Sequence, residues 1–176
     1  MKVLVVVDMQ NDFITGSLGT PEARAIVPNV KKKIEEYRAN GGTVIFTRDT
    51  HFADYLETRE GQKLPVEHCV RDTHGWQIAD EFGVTEDDVV IDKHTFGSYR
   101  LVETVCDWLD DDETDAVEVV GLCTDICVVS NALLLKADLY DECEISVDST
   151  CCAGVTPESH EAALKTMEMC QINVKR

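Results

Sequence analysis

Among the eight cysteines of this 176-residue chain, Cys127 has the setting that best suits a nucleophile. It follows Gly121-Leu122-Cys123-Thr124-Asp125-Ile126 and falls at the start of Ile126–Leu139, a stretch with helical spacing of apolar residues. A free thiol has a pKa of about 8.5, and the free amides and dipole at a helix start favour its thiolate. Two helpers stand at the ends of other apolar runs, Asp8 after Val3–Val7 and Lys93 after Val89–Asp92. An ammonium could hold the thiolate, while a carboxylate could take the thiol proton and return it to a leaving group. That is the chemistry of a cysteine hydrolase. Another run, Thr43–Thr47, leads into Arg48-Asp49 with His51 just beyond, a carboxylate–imidazole pair of metal-binding type. Singly, each residue has a plainer role: a helical Cys is usually core, and a polar residue after a strand usually belongs to a turn. Only their joint placement points to a site.

The elements that must bring them together are short and β-branched. Val3–Val7, Thr43–Thr47, Val89–Asp92, Ala116–Gly121 and Glu144–Val147 read as strands, most of them buried on both faces. Glu22–Asn40, Leu101–Leu109 and Ile126–Leu139 read as helices, and a last helix starts near Pro157 with Thr156 as its N-cap. Strands alternating with helices predict a Rossmann-like, three-layer α/β/α fold with a mostly parallel central sheet, a single domain over residues 1–176. In such sheets ligands bind beyond the carboxyl ends of the strands. Asp8, Asp49, Lys93 and Cys127 all fall there.

Composition narrows the partners. A formal charge of −18 repels phosphate backbones and anionic membranes, so neither nucleic acid nor lipid is expected. Much of that charge lies in two runs, Glu86-Asp87-Asp88 and Asp110 to Asp115, which read as solvated turns. No apolar run approaches the roughly 20 residues that span a bilayer. The opening Met1 to Asp8 is too short for a signal sequence and is interrupted by the Asp, so a cytoplasmic protein is expected. Cys106, Cys143 and Cys170 sit in apolar patterns and no CxxC pair occurs, which predicts reduced thiols.

The local motifs are more specific. Val7-Asp8-Met9-Gln10-Asn11-Asp12-Phe13 with Gly16-Ser17-Leu18 resembles the opening motif of the isochorismatase-like cysteine hydrolases, and Gly121 to Val128 is similar to their nucleophile motif. Lys93 with Phe96-Gly97-Ser98 resembles the lysine segment, and Val147 to Gly154 with His160 and Leu164 the closing one. Within that superfamily, Asp49-Thr50-His51 and Pro65-Val66-Glu67-His68-Cys69-Val70 look like the metal segments of the nicotinamidases. The resemblance implies one divalent ion (Zn, Fe or Mn) on Asp49, His51 and His68, with Glu60, or alternatively Glu57, as a fourth ligand. Residues i and i+2 of an extended segment share a face, so Asp49 and His51 suit one ion. It further implies nicotinamide near Phe13 and Cys123, an oxyanion held by the backbone of Cys123 and Cys127, and a cis peptide at Leu122–Cys123. A homo-oligomer is implied too.

Two departures stand out. The loop before His68, Lys63-Leu64-Pro65-Val66, lacks the aromatic residue common in nicotinamidases, and Phe52 or Tyr55 is the expected substitute. Position 123 is Cys where the family commonly has Ala, which raises a regulatory disulfide between Cys123 and Cys127. His74, His94 and His160 read as structural or exposed, and Trp76 and Trp108 as helix-packing residues. Competing expectations are an amidohydrolase of the same superfamily acting on a carbamoyl or ureido group, and a non-catalytic binding or redox protein on the same fold.

Overall fold

The computed structural model describes residues 1–109, 116–139 and 143–176. The Asp110 to Asp115 run therefore lies outside the described residues. In chain order the elements are β1 (Lys2–Val7), α1 (Asn11–Ile14), α2 (Pro21–Ala39), β2 (Thr43–Asp49), α3 (Arg59–Lys63), β3 (Val89–Lys93), α4 (Tyr99–Cys106), β4 (Ala116–Leu122), α5 (Val129–Leu139), β5 (Glu144–Ala153), α6 (Pro157–Met169) and β6 (Asn173–Lys175), with short 3₁₀ turns at Tyr55–Glu57 and Asp80–Phe82.

The strands form one sheet in the order β3-β2-β1-β4-β5-β6, with every pairing parallel. The α/β class is as expected, and the sheet is wholly rather than mostly parallel. β1 and β4 are central and rich in Val and Leu, as burial on both faces favours, with Glu118 the one charged residue in β4. The crossover from β1 to β2 runs one way along the sheet and that from β4 to β5 the other. Right-handed connections then put their helices on opposite faces. α2 packs on β1, β2, β4 and β5, while α5 packs on β5 beside α4 and α6. The chain reverses direction across the sheet between β1 and β4, the place where such folds form a crevice.

Several boundaries moved for identifiable reasons. Thr20 and Ser98 cap the next helices through bonds to Ala23 N and Leu101 N, so α2 and α4 begin earlier than their apolar spacing suggests. Thr156 caps α6 in a full capping box, as anticipated. β5 runs on through Ser149-Thr150-Cys151-Cys152, past the expected end at Val147. A sixth strand, Asn173–Lys175, was not anticipated, because three alternating edge residues give too little pattern to read. Of the acidic turn at 86–88, Glu86 and Asp87 are exposed, whereas Asp88 is paired with Arg38 and accepts from Thr85 N. Among the described residues no helix is long and apolar enough to cross a membrane.

Candidate active site

Three strand ends meet in one buried cluster. Asp8 directly follows β1, Lys93 is the last residue of β3, and Cys127 lies just past β4. Lys93 Nζ stands 2.7 Å from Asp8 Oδ2, 3.4 Å from Cys127 Sγ and 3.4 Å from Asp49 Oδ1. Thr47 Oγ1 donates to Asp8 Oδ1 at 2.7 Å, fixing the carboxylate from its other side. All three side chains are buried.

Burial at this depth shifts how the thiol titrates. Burial and the Asp8 charge push Cys127 well above its ordinary pKa, with Lys93 opposing them. Cys127 lies in a π-helical turn, Thr124–Val128, ahead of α5 rather than in the first turn of the regular helix. Burial also raises Asp8 above the usual carboxylate range, against the pull of Lys93, which makes it a better proton acceptor. For Lys93 burial works downward, but Asp8, Cys127 and Asp49 outweigh it and hold the ammonium charged.

The turn bearing Cys127 is pinned from three directions. Asn131 Nδ2 donates to Cys127 O at 2.8 Å and to Phe96 O at 3.1 Å, while its Oδ1 accepts from Ser98 N. Thr124 Oγ1 lies 2.8 Å from His160 Nδ1, and Asp125 accepts from Val155 N. The peptide between Leu122 and Cys123 is cis. Gly121 comes so close to β1 that a Cβ would stand 2.2 Å from Val7 O, and its φ of +120° is also one that favours glycine. Cys123 and Cys127 are both free thiols.

Beside this cluster, ligand atoms of Asp49, His51 and His68 lie within 4.8 Å of one another, all buried. His51 Nε2 is 3.1 Å and His68 Nε2 3.7 Å from Asp49 Oδ2. Glu60 Oε1 faces the same spot, 3.7 Å from His51 Nε2 and 3.9 Å from His68 Nε2, so Glu60 rather than the exposed Glu57 adjoins the group. His68 Nδ1 bonds Val66 O at 2.8 Å, which puts its proton there and leaves the Nε2 lone pair toward the cluster. Two imidazoles and one or two carboxylates fit a divalent transition ion.

One cavity of about 340 Å³ joins the two groups. Its lining includes Cys127, Cys123, Asp49, His68, Glu60 and Phe13. Leu18, Phe96 and Ile126, which lie in the motifs quoted above, join Leu64 and Val155 in its largely apolar wall. Leu122 itself is core. Tyr55 is buried with its ring centroid 4.6 Å from that of His51, whereas exposed Phe52 faces His94. His94 bonds Thr50 O and points away from Lys93's neighbours, and His74 is exposed. Trp76 lies in a turn rather than on a helix, with its Nε1 bonded to Thr50 Oγ1 and Arg48 over its ring. Trp108 packs against the core as expected.

Comparison with known proteins agrees with this geometry. The Isochorismatase domain family matches residues 2–175. The nicotinamidase of Escherichia coli (strain K12) is 29% identical over 96% of this chain and 90% of its own length. The nicotinamidase of Saccharomyces cerevisiae is 26% identical over 99% of both chains. Among solved structures, the pyrazinamidase of Pyrococcus horikoshii in complex with zinc superposes with a TM-score of 0.84 at 28% identity, covering 99% of this chain and 98% of the other.

Proposed function

This chain belongs to the Isochorismatase domain family, and from that premise we propose that it is a metal-containing cysteine amidohydrolase converting nicotinamide and water to nicotinate and ammonia. The observation that carries the proposal is the shared cavity: one space touches the thiol and, from the Asp–His–His group, Asp49 and His68. A nucleophile aimed at an amide and a site able to hold a ring nitrogen then serve one substrate. The carbamoyl and ureido alternative has no use for that second group and is not favoured.

The steps follow from the residues present. Nicotinamide lies against Phe13 with its carboxamide toward Cys127. Asp8 accepts the Sγ proton as sulfur attacks the carbonyl carbon, and Lys93 holds the emerging negative charge. The backbone amides of Cys123 and Cys127 receive the oxyanion. Asp8 returns its proton to the departing nitrogen, and ammonia leaves a thioester on Cys127. Asp8 then takes a proton from water, which adds to the thioester and frees nicotinate and the thiol. Asp49, His51, His68 and Glu60 would hold a divalent ion, which supplies a Lewis acid for the ring nitrogen of the substrate. Cys127, not a metal-activated group, makes the attack.

An ammonia-release assay tests this reading. Nicotinamide and pyrazinamide, whose ring nitrogens can reach an ion, are expected to turn over, and benzamide poorly. Chelation is expected to lower turnover of nicotinamide by about 100-fold or more, with recovery on adding zinc, iron or manganese. Equal turnover of benzamide, or full activity of chelated protein, would remove the metal from the proposal.

A further inference from the structure

The opening motif holds two polar side chains that the chemistry above does not use, Gln10 and Asp12. Gln10 is fully buried. Its Nε2 donates to Asp49 O and to Trp76 O, both at 2.8 Å, and its Oε1 accepts from Asp49 N at 2.7 Å. The backbone explains why Asp49 needs such a partner. In β2 the peptide groups of Thr47 and Asp49 face β1, since Thr47 O accepts from Asp8 N, whereas Thr50 N turns to Lys93 O on β3. The β1–β2 register ends at Val7 and Thr47, because the left-handed φ of +49° at Asp8 turns the chain out of the sheet. Asp49 would thus face an open ladder position on that side. The side-chain amide of Gln10 fills it, offering one acceptor and two donors where a peptide group would have been.

Asp12 acts on the other ligand segment. Its Oδ2 accepts from Cys69 N at 2.8 Å, the residue after His68, where φ is a left-handed +47°. Cys69 O in turn accepts from His51 N at 2.9 Å. One short turn after β1 therefore grips the backbone at Asp49 and at the His68–Cys69 peptide, two segments nearly twenty residues apart in sequence.

Resting on the metal reading above, we propose that Gln10 and Asp12 are positioning residues, which set Asp49 and His68 in register for a single ion. They touch neither substrate nor ion. The type of each atom matters: at Gln10 two donors must face carbonyls, while at Asp12 an acceptor suffices and its charge is dispensable.

The test uses the full chain stripped of metal and titrated with cobalt(II), read by visible absorption. Gln10→Glu, which turns a donor into an acceptor facing two carbonyls, is expected to raise the cobalt dissociation constant by about 10- to 100-fold and to shift the absorption bands. Asp12→Ala is expected to do the same, and Asp12→Asn, which keeps the acceptor, to restore wild-type affinity and spectrum. If Gln10→Glu does not fold, the Asp12→Ala and Asp12→Asn pair decides by the same readout. Wild-type affinity and bands in Gln10→Glu and Asp12→Ala would overturn the positioning role alone. A wild type that takes up no cobalt would overturn this inference together with the metal reading.

Discussion

Cys127→Ala is expected to abolish ammonia release from nicotinamide, by about 10⁴-fold or more, while leaving the fold intact. The side chain is small and buried against Val128 and other core residues, so shortening it by one sulfur perturbs packing little. The loss is chemical, because Cys127 is the cavity thiol that Lys93 contacts, 3.4 Å away. Cys123 lines the same cavity, and on the proposed mechanism it lends only its backbone amide to the oxyanion. Cys123→Ala keeps that amide and should retain most of the activity. Parallel assays of the two variants, with thermal melts to verify folding, check the contrast. Equal losses in both would mean that the wrong thiol has been assigned.

The second large effect falls on stability as well as rate. Among the described residues Lys93 is the one ammonium within 4 Å of both Asp8 and Asp49, and all three side chains are at least nine-tenths buried. Lys93→Met removes that cation and leaves buried carboxylates uncompensated, at a cost of about 3–5 kcal/mol. Part of the strain is relieved when Asp8 takes up a proton, and a protonated Asp8 cannot act as the base. Turnover is therefore expected to vanish together with the stability. Adding Asp8→Asn to Lys93→Met should recover stability without activity, because it removes the orphaned charge and not the defect in chemistry. Denaturant titrations of the single and double variants measure this coupling. Strictly additive losses would contradict a direct Asp8–Lys93 pair.

What could be read in the chain followed from periodicity and from topology. Val3–Val7 is a continuous apolar run and Ala116–Gly121 is interrupted only by Glu118, a pattern that suits central parallel strands. Once parallel, the strands' carboxyl ends must share a rim, which places Asp8, Lys93 and Cys127 together on topology alone. Asp49 and His51 were readable from their two-residue spacing. What escaped was tertiary in origin. The three-residue β6 has no period of its own. β5 extends past Val147 because, beyond a bulge, Cys152 and Ala153 pair with Gly121 and Leu122 of β4. The thiol's protonation depends on how completely Cys127 is buried, which a motif does not express. Gln10, Asp12 and Asn131 form hydrogen bonds to backbone between about 33 and 66 residues away, and nothing local marks them as clamps.

On the proposed mechanism Cys127 carries the acyl group during hydrolysis of nicotinamide. Metal-loaded protein turning over nicotinamide is quenched in acid within milliseconds, digested and weighed by mass spectrometry. The account predicts a nicotinoyl group on the peptide containing Cys127, absent before substrate is added and absent in Cys127→Ala. Sustained turnover in the Cys127→Ala protein, or an adduct found only on another cysteine, would contradict it.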